Sequence, residues 1–142
     1  MSIFEYAPAP ESRAIVDIKG SYGLFVNGEF TDGHGTPFKT VNPATEEVLA
    51  EVAEADASDV DAAVKAARKA YDKVWGPMPG RERAKYLYRI ARILQERSRE
   101  IAVLETIDNG KPIKESRDVD VPTAAAFFFY YAGWADKLEH SG

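Results

Sequence analysis

The sequence predicts an α+β chain in which short antiparallel strands are followed by about four helices. Three observations carry that expectation. Short apolar runs broken by Asn-Gly, Asp-Gly and Asn-Pro pairs occupy residues 24–53, the layout of a strand meander. After Ala55 the apolar residues recur every three or four positions, the period of an amphipathic helix. Near the carboxyl end five aromatics stand in a row: Phe127, Phe128, Phe129, Tyr130 and Tyr131.

The elements follow in order. Residues 1–21 read as an N-terminal tail, because Ala7-Pro8-Ala9-Pro10 favours extended backbone and residues 11–18 support at most a short helical turn. Order is expected from Tyr22. Leu24-Phe25-Val26 is a first strand ending at Asn27-Gly28, a pair suited to a turn with φ > 0 at both positions. Glu29-Phe30-Thr31 returns as the second strand, Phe38-Lys39-Thr40-Val41 is a third, and the run from Glu47 to Ala53 is a fourth. Asp56 or Ser58 caps the first helix, with Asp59 and Asp61 near the positive end of its dipole. Val60, Val64, Ala67, Tyr71 and Val74 share one face and are expected to point inward. Gly76-Pro77-Met78-Pro79-Gly80 breaks the chain. A second helix covers residues 81–97, with Ala84, Leu87, Ala91 and Leu94 inward and Ile90 and Ile93 widening the stripe. Ser98 caps a third, stopped by Asn109-Gly110 and Pro112. The last helix starts near Asp118 or Asp120, carries Pro122 in its first turn and runs to about Leu138.

Composition narrows the function. The 142 residues suffice for one domain with a real core. A formal charge of −5 argues against nucleic acid and against an anionic membrane as partners. No cysteine is present, so disulfides, thiolate zinc sites, iron–sulfur clusters and a thiol nucleophile are excluded from these residues. No apolar run approaches the roughly 20 residues that span a bilayer. The start, Met1-Ser2-Ile3-Phe4-Glu5-Tyr6, lacks a basic region followed by an apolar block, which points to the cytoplasm.

Catalytic sets are scarce. Gly33-His34-Gly35 lacks the third glycine of a phosphate-binding loop and reads as a turn. Asp56, Asp59, Asp61, Asp118 and Asp120 all fall at expected helix starts, where capping accounts for them. His34 lies in a turn and His140 near a helix C-terminus, neither with a partner nearby in sequence. Arg81, Lys85, Arg89 and Arg92 form a basic stripe with only Tyr88 interleaved. A solvated face or an acidic neighbour suits it better than phosphate does. The last helix is apolar all round, and such a helix must be covered all round. The preceding elements are too few to do so while burying their own faces.

Five phrases, taken together, are similar to a known family. They are Leu24-Phe25-Val26-Asn27-Gly28-Glu29-Phe30; Thr40-Val41-Asn42-Pro43-Ala44-Thr45-Glu46-Glu47-Val48; Asp59-Val60-Asp61-Ala62-Ala63-Val64-Lys65-Ala66-Ala67-Arg68; Leu104-Glu105-Thr106-Ile107-Asp108-Asn109-Gly110-Lys111-Pro112; and Tyr130-Tyr131-Ala132-Gly133-Trp134-Ala135-Asp136-Lys137. In this order and spacing they resemble the N-terminal part of NAD(P)-dependent aldehyde dehydrogenases. The resemblance implies an α/β parent fold with a Rossmann-type cofactor domain, residues 22–142 being its incomplete N-terminal lobe. It also implies oxidation of an aldehyde with NAD or NADP: a cysteine thiolate attacks, hydride leaves for the cofactor, and a thioester is hydrolysed. The catalytic and cofactor-binding residues of such an enzyme would lie downstream, which turns the missing cysteine into an expectation of truncation. A homo-oligomer, dimer or tetramer, is implied too.

Two sets of residues follow from the resemblance. Main-chain oxygens around Thr40 and Val41 and the carboxylate of Asp108 would hold a structural monovalent cation, as hard oxygen ligands suit; alternatively, Asp108 only turns the chain beside Asn109-Gly110. Val119, Thr123 and Phe127, in the early turns of the last helix, would line the substrate entrance, unless they serve ordinary packing. Ala124-Ala125-Ala126 followed by Phe127-Phe128-Phe129 departs from relatives that carry a basic residue before the paired tyrosines. The competing reading is a free-standing α+β interaction module that docks through its aromatic helix.

Overall fold

A computed structural model describes residues 12–137. The expectations for residues 7–10 and for His140 lie outside them. The chain enters through a single 3-10 turn, Arg13–Ile15, whose preceding Ser12 accepts the Ala14 N–H. Arg13 then reaches Glu47 Oε2 at 3.0 Å.

Five strands follow: β1 (Ser21–Tyr22), β2 (Leu24–Val26), β3 (Glu29–Thr31), β4 (Phe38–Val41) and β5 (Val48–Val52). Strands β2 and β3 form a separate hairpin, pairing Leu24 with Thr31 and Val26 with Glu29. Its turn sits where Asn27 and Gly28 both take positive φ, 55° and 87°, as a two-residue turn matched to strand twist requires. The other sheet has the order β1-β5-β4. Here the all-antiparallel expectation needs correction, because β1 runs parallel to β5. The hairpin and β4 intervene in sequence, so the chain returns far enough to lay β5 alongside β1 in the same direction. The Gly20 and Tyr22 carbonyls accept the Glu51 and Ala53 N–H groups.

The helical part comprises α1 (Ala57–Ala70), α2 (Gly80–Glu96), α3 (Ser98–Asn109), the single turn α4 (Ile113–Glu115) and α5 (Val121–Trp134). Two π-turns extend them: Tyr71–Trp75 continues α1, and Ser116–Asp120 joins α4 to α5. Asp56 caps α1 in a reciprocal box with Asp59, its Oδ1 accepting the Ser58 and Asp59 N–H groups. Three expected caps differ. Ser98 is already helical, and α3 begins instead beside an Arg97–Glu100 ion pair. Asp118 and Asp120 sit inside continuous helical backbone and cap nothing. Asp118 pairs with Arg117 at 2.6 Å, and Asp120 with Lys111. With Pro112 at the start, the helical path begins at Ile113 and needs no new cap at Val121.

The core is built from small side chains. Six of the eight buried apolar residues among those described are alanines: Ala50, Ala91, Ala102, Ala125, Ala132 and Ala135, with Val103 and Val121. Helices α2 and α5 therefore approach closely, and a Cβ on Gly80 would stand 2.2 Å from the Ala135 carbonyl oxygen. The inward face expected for α1 is not inward. Val60, Val64, Tyr71 and Val74 are 53%, 61%, 52% and 58% exposed, because nothing in the described chain packs over that stripe.

Candidate functional site

Three places bear on function. In the first, β4 meets the end of α3. The Thr40 hydroxyl donates to Asp108 Oδ1 across 68 residues of sequence. The ladder between β4 and β5 is irregular between Thr40 and Val41, the two residues whose main-chain oxygens the cation reading invokes. Gly110, at φ 82°, closes α3 in the left-handed conformation and lies against Pro43, so the helix end is docked twice on the strand end. The structure thus brings Thr40 and Asp108 together beside Val41. Among these groups the contact the structure shows is the Thr40 hydroxyl on the Asp108 carboxylate.

The second place is the outer side of α5. Val119, in the π-turn before it, and Phe127 are 48% and 58% exposed, and Thr123 between them is exposed as well. Spaced four apart, the three residues share one side of the rod. Phe127 stacks on Tyr131 at 6.4 Å, and Tyr130 contacts both Tyr131 and Trp134. Tyr130 and Tyr131 are each 58% exposed. Beside them opens a cleft of ≈ 730 Å³ whose walls include Tyr71, Trp75, Arg83, Leu87, Tyr131 and Trp134. Arg83 Nη1 donates to the Trp75 carbonyl at 3.4 Å, placing a cation where the α1 segment ends and its dipole is negative. The sequence counted Tyr71 as core and did not single out Trp75 or Arg83. Only knowledge of which helices neighbour each other joins these residues to Tyr131.

The third place is the loop after β3. His34 lacks a partner nearby in sequence but has one in space, 25 positions along the chain. Its backbone N–H donates to Asp59 Oδ2 at 2.8 Å and its ring Nδ1 lies 2.5 Å from Asp59 Oδ1. Gly33 and Gly35 are required for close approach: a Cβ on Gly33 would stand 2.2 Å from the Glu54 carbonyl oxygen, and the Gly35 N–H donates to that same oxygen at 3.1 Å. The loop is a strap across the β5–α1 connection. His34, Asp56 and Asp59 place one ligand atom each within 4.8 Å of one another, yet they do not form a cation cage. Asp59 Oδ2 accepts the His34 and Asp56 N–H groups, Asp59 Oδ1 faces the His34 ring, and Asp56 Oδ1 accepts Ser58 and Asp59. The positive end of α1 lies behind them.

The basic stripe is partly neutralised. Lys85 Nζ donates to Glu82 Oε2 at 2.7 Å, which holds the Glu82 carboxyl below its ordinary value; Arg81 adds a 3.9 Å contact to the same carboxylate. Among the described residues, no helix is long and apolar enough to cross a membrane.

Comparisons with known proteins agree with one another. The sequence profile of the Aldehyde dehydrogenase family matches residues 30–142. Aldehyde dehydrogenase family 2 member B4, mitochondrial, of Arabidopsis thaliana is 49% identical over 117 residues, covering 81% of this chain and 22% of that protein. Aldehyde dehydrogenase 1 of Tanacetum cinerariifolium is 50% identical over 117 residues, covering 81% and 23%. Among solved structures, the NAD+ complex of aldehyde dehydrogenase from Bacillus cereus superposes with a TM-score of 0.79 at 45% identity, covering 83% of this chain and 24% of that one. The chain spans about a quarter of the length of the relatives it matches.

Proposed function

The chain belongs to the aldehyde dehydrogenase family, and from that premise we propose that it is the amino-terminal portion of an enzyme that oxidises an aldehyde to a carboxylic acid with NAD(P)+. The observation that carries the proposal is the match itself, about half identical over 117 residues yet only 22% of the relative's length. The absence of cysteine in the 142 residues fits it, since the thiol that would form a thioester with the substrate then belongs to residues outside this chain. NAD or NADP would accept the hydride, and no residue of this chain is assigned to hold it.

Within the enzyme this portion would supply scaffold. Thr40, Val41 and Asp108 would hold a structural monovalent cation where β4 and α3 meet, fixing the docking that Gly110 and Pro43 also make. The exposed stripe of Val119, Thr123 and Phe127 would form one wall of the substrate entrance, its apolar side chains favouring an apolar aldehyde tail. The remaining aromatics of α5 would be covered by the rest of the enzyme, and the assembly would be a homo-oligomer in the cytoplasm.

A chimera tests this directly. Residues 22–142 replace the matched segment of the Bacillus cereus aldehyde dehydrogenase, and NADH formation is followed with an aldehyde substrate. The proposal expects a folded enzyme with NAD-dependent turnover, and expects none from the 142-residue chain alone. A folded but inactive chimera, or turnover by the chain alone, contradicts it. The exposed aromatics of α5 also support a second reading, an interaction module. That reading expects the chain to be stably folded and to bind a separate protein through α5.

A further inference from the structure

The strap formed by residues 32–35 holds α1 and the connection before it through donors of two kinds. The His34 backbone N–H and the Gly35 N–H do not titrate; the His34 ring does. Asp59, the acceptor, has a side chain only 9% exposed, while the His34 side chain covering it is 69% exposed. Among the described residues, the charges shown to act on the ring are those of Asp59 and Asp56. Asp59 and Asp56 stand at the head of α1, Glu54 on the β5–α1 connection with its Cβ beside Gly35, and Asp32 in the strap itself. The hydrogen bond to Asp59 raises the His34 ring above the ordinary imidazole value, and the charges of Asp59 and Asp56 add to this. Asp59 is held below the ordinary carboxylate value, chiefly by the His34 backbone N–H and also by the Asp56 N–H and the ring.

We propose that residues 32–35 form a charge-dependent latch on α1: the protonated His34 ring closes it on Asp59, and loss of that proton loosens it while the backbone bonds and the capping box stay in place. Because the folded value of His34 is raised, its contribution is fully present below the unfolded imidazole value of about 6.5 and fades as pH rises through the folded value. Asp59 sets the acid side, since its contribution is lost as pH falls through its lowered folded value. The latch is therefore tightest in mildly acidic to near-neutral solution. Above that window the neutral ring still donates from Nδ1, held in that tautomer by Asp59, so the strap relaxes without detaching.

The test is an NMR titration of the imidazole nitrogens in the 142-residue chain between about pH 5 and 9, a range that brackets the ordinary imidazole value, for the native sequence and for Asp59→Asn. The latch predicts a lower His34 midpoint in Asp59→Asn and an Nδ1–H tautomer for neutral His34 in the native chain. Equal midpoints, or an Nε2–H tautomer, overturn it. Asp59 also belongs to the capping box, so His34→Gln provides a second arm that keeps the strap's backbone donors. The urea midpoint of the native chain should fall as pH rises above neutral, and that of His34→Gln should fall less, any His140 contribution being common to both. Parallel slopes overturn the proposal.

Discussion

Gly80 at the start of α2 lies against the Ala135 carbonyl at the end of α5, with no room for a methyl group between them. The two helices meet at small residues here, and further along Phe129 of α5 packs against Tyr88 of α2, their ring centroids 6.1 Å apart. A helix pair set this close buries Ala91, Ala125 and Ala132 almost completely. It leaves Phe127, Tyr130, Tyr131 and Trp134 outside, 45–58% exposed.

Gly80→Ala is expected to be among the most damaging single changes. A Cβ 2.2 Å from a backbone oxygen forces the helices apart; overpacking of this kind costs on the order of 1–3 kcal/mol. Ala132→Leu, on the same seam, should act similarly. Urea unfolding followed by circular dichroism measures both, and an unchanged midpoint for Gly80→Ala would contradict the packing described.

The outer side of α5 should behave oppositely. Phe127→Ser with Tyr131→Ser removes exposed rings that no buried residue needs, so stability should move by no more than about 0.5 kcal/mol per site. Binding of a hydrophobic dye and concentration-dependent self-association, read by fluorescence and by sedimentation, should both fall.

The closing turn of α3 offers a backbone test. Gly110 takes φ 82°, a conformation that costs an L-residue about 1–2 kcal/mol. A Cβ there would also stand 2.8 Å from Pro43 Cγ. Gly110→Ala should lower the unfolding midpoint and loosen the Thr40–Asp108 contact; hydrogen exchange across residues 40–43 reads the second effect.

If Thr40, Val41 and Asp108 hold a cation, replacing a bulky organic cation with potassium or sodium at constant ionic strength should raise the melting temperature of the native chain. Asp108→Asn should abolish that increment. An increment of equal size in the variant would remove Asp108 from the site.

How much of this was legible in the sequence follows from the range over which each feature is determined. The Asn27-Gly28 hairpin, the Asp56 cap and the Gly110 stop are decided within four or five residues, and all three are found where expected. The periodicity of α1 correctly marked an apolar stripe, but a period does not say what lies opposite it. Val60 and Val64 consequently face outward in the described chain. His34 and Asp59 are 25 positions apart, and no local signal joins them before β5 and α1 are placed. The π-turns were likewise hidden, so Asp118 and Asp120 read as caps when they are partners of Arg117 and Lys111. Thr40 and Asp108 were grouped through family resemblance, not through any pattern in their spacing.

Hydroxyl-radical footprinting of α5, read by mass spectrometry in the isolated chain and in the Bacillus cereus chimera, puts the greatest strain on the account. Tyr130, Tyr131 and Trp134 should be labelled readily in the isolated chain and become protected once the rest of an aldehyde dehydrogenase surrounds them. Equal labelling in both, or protection already complete in the 142 residues alone, would contradict it.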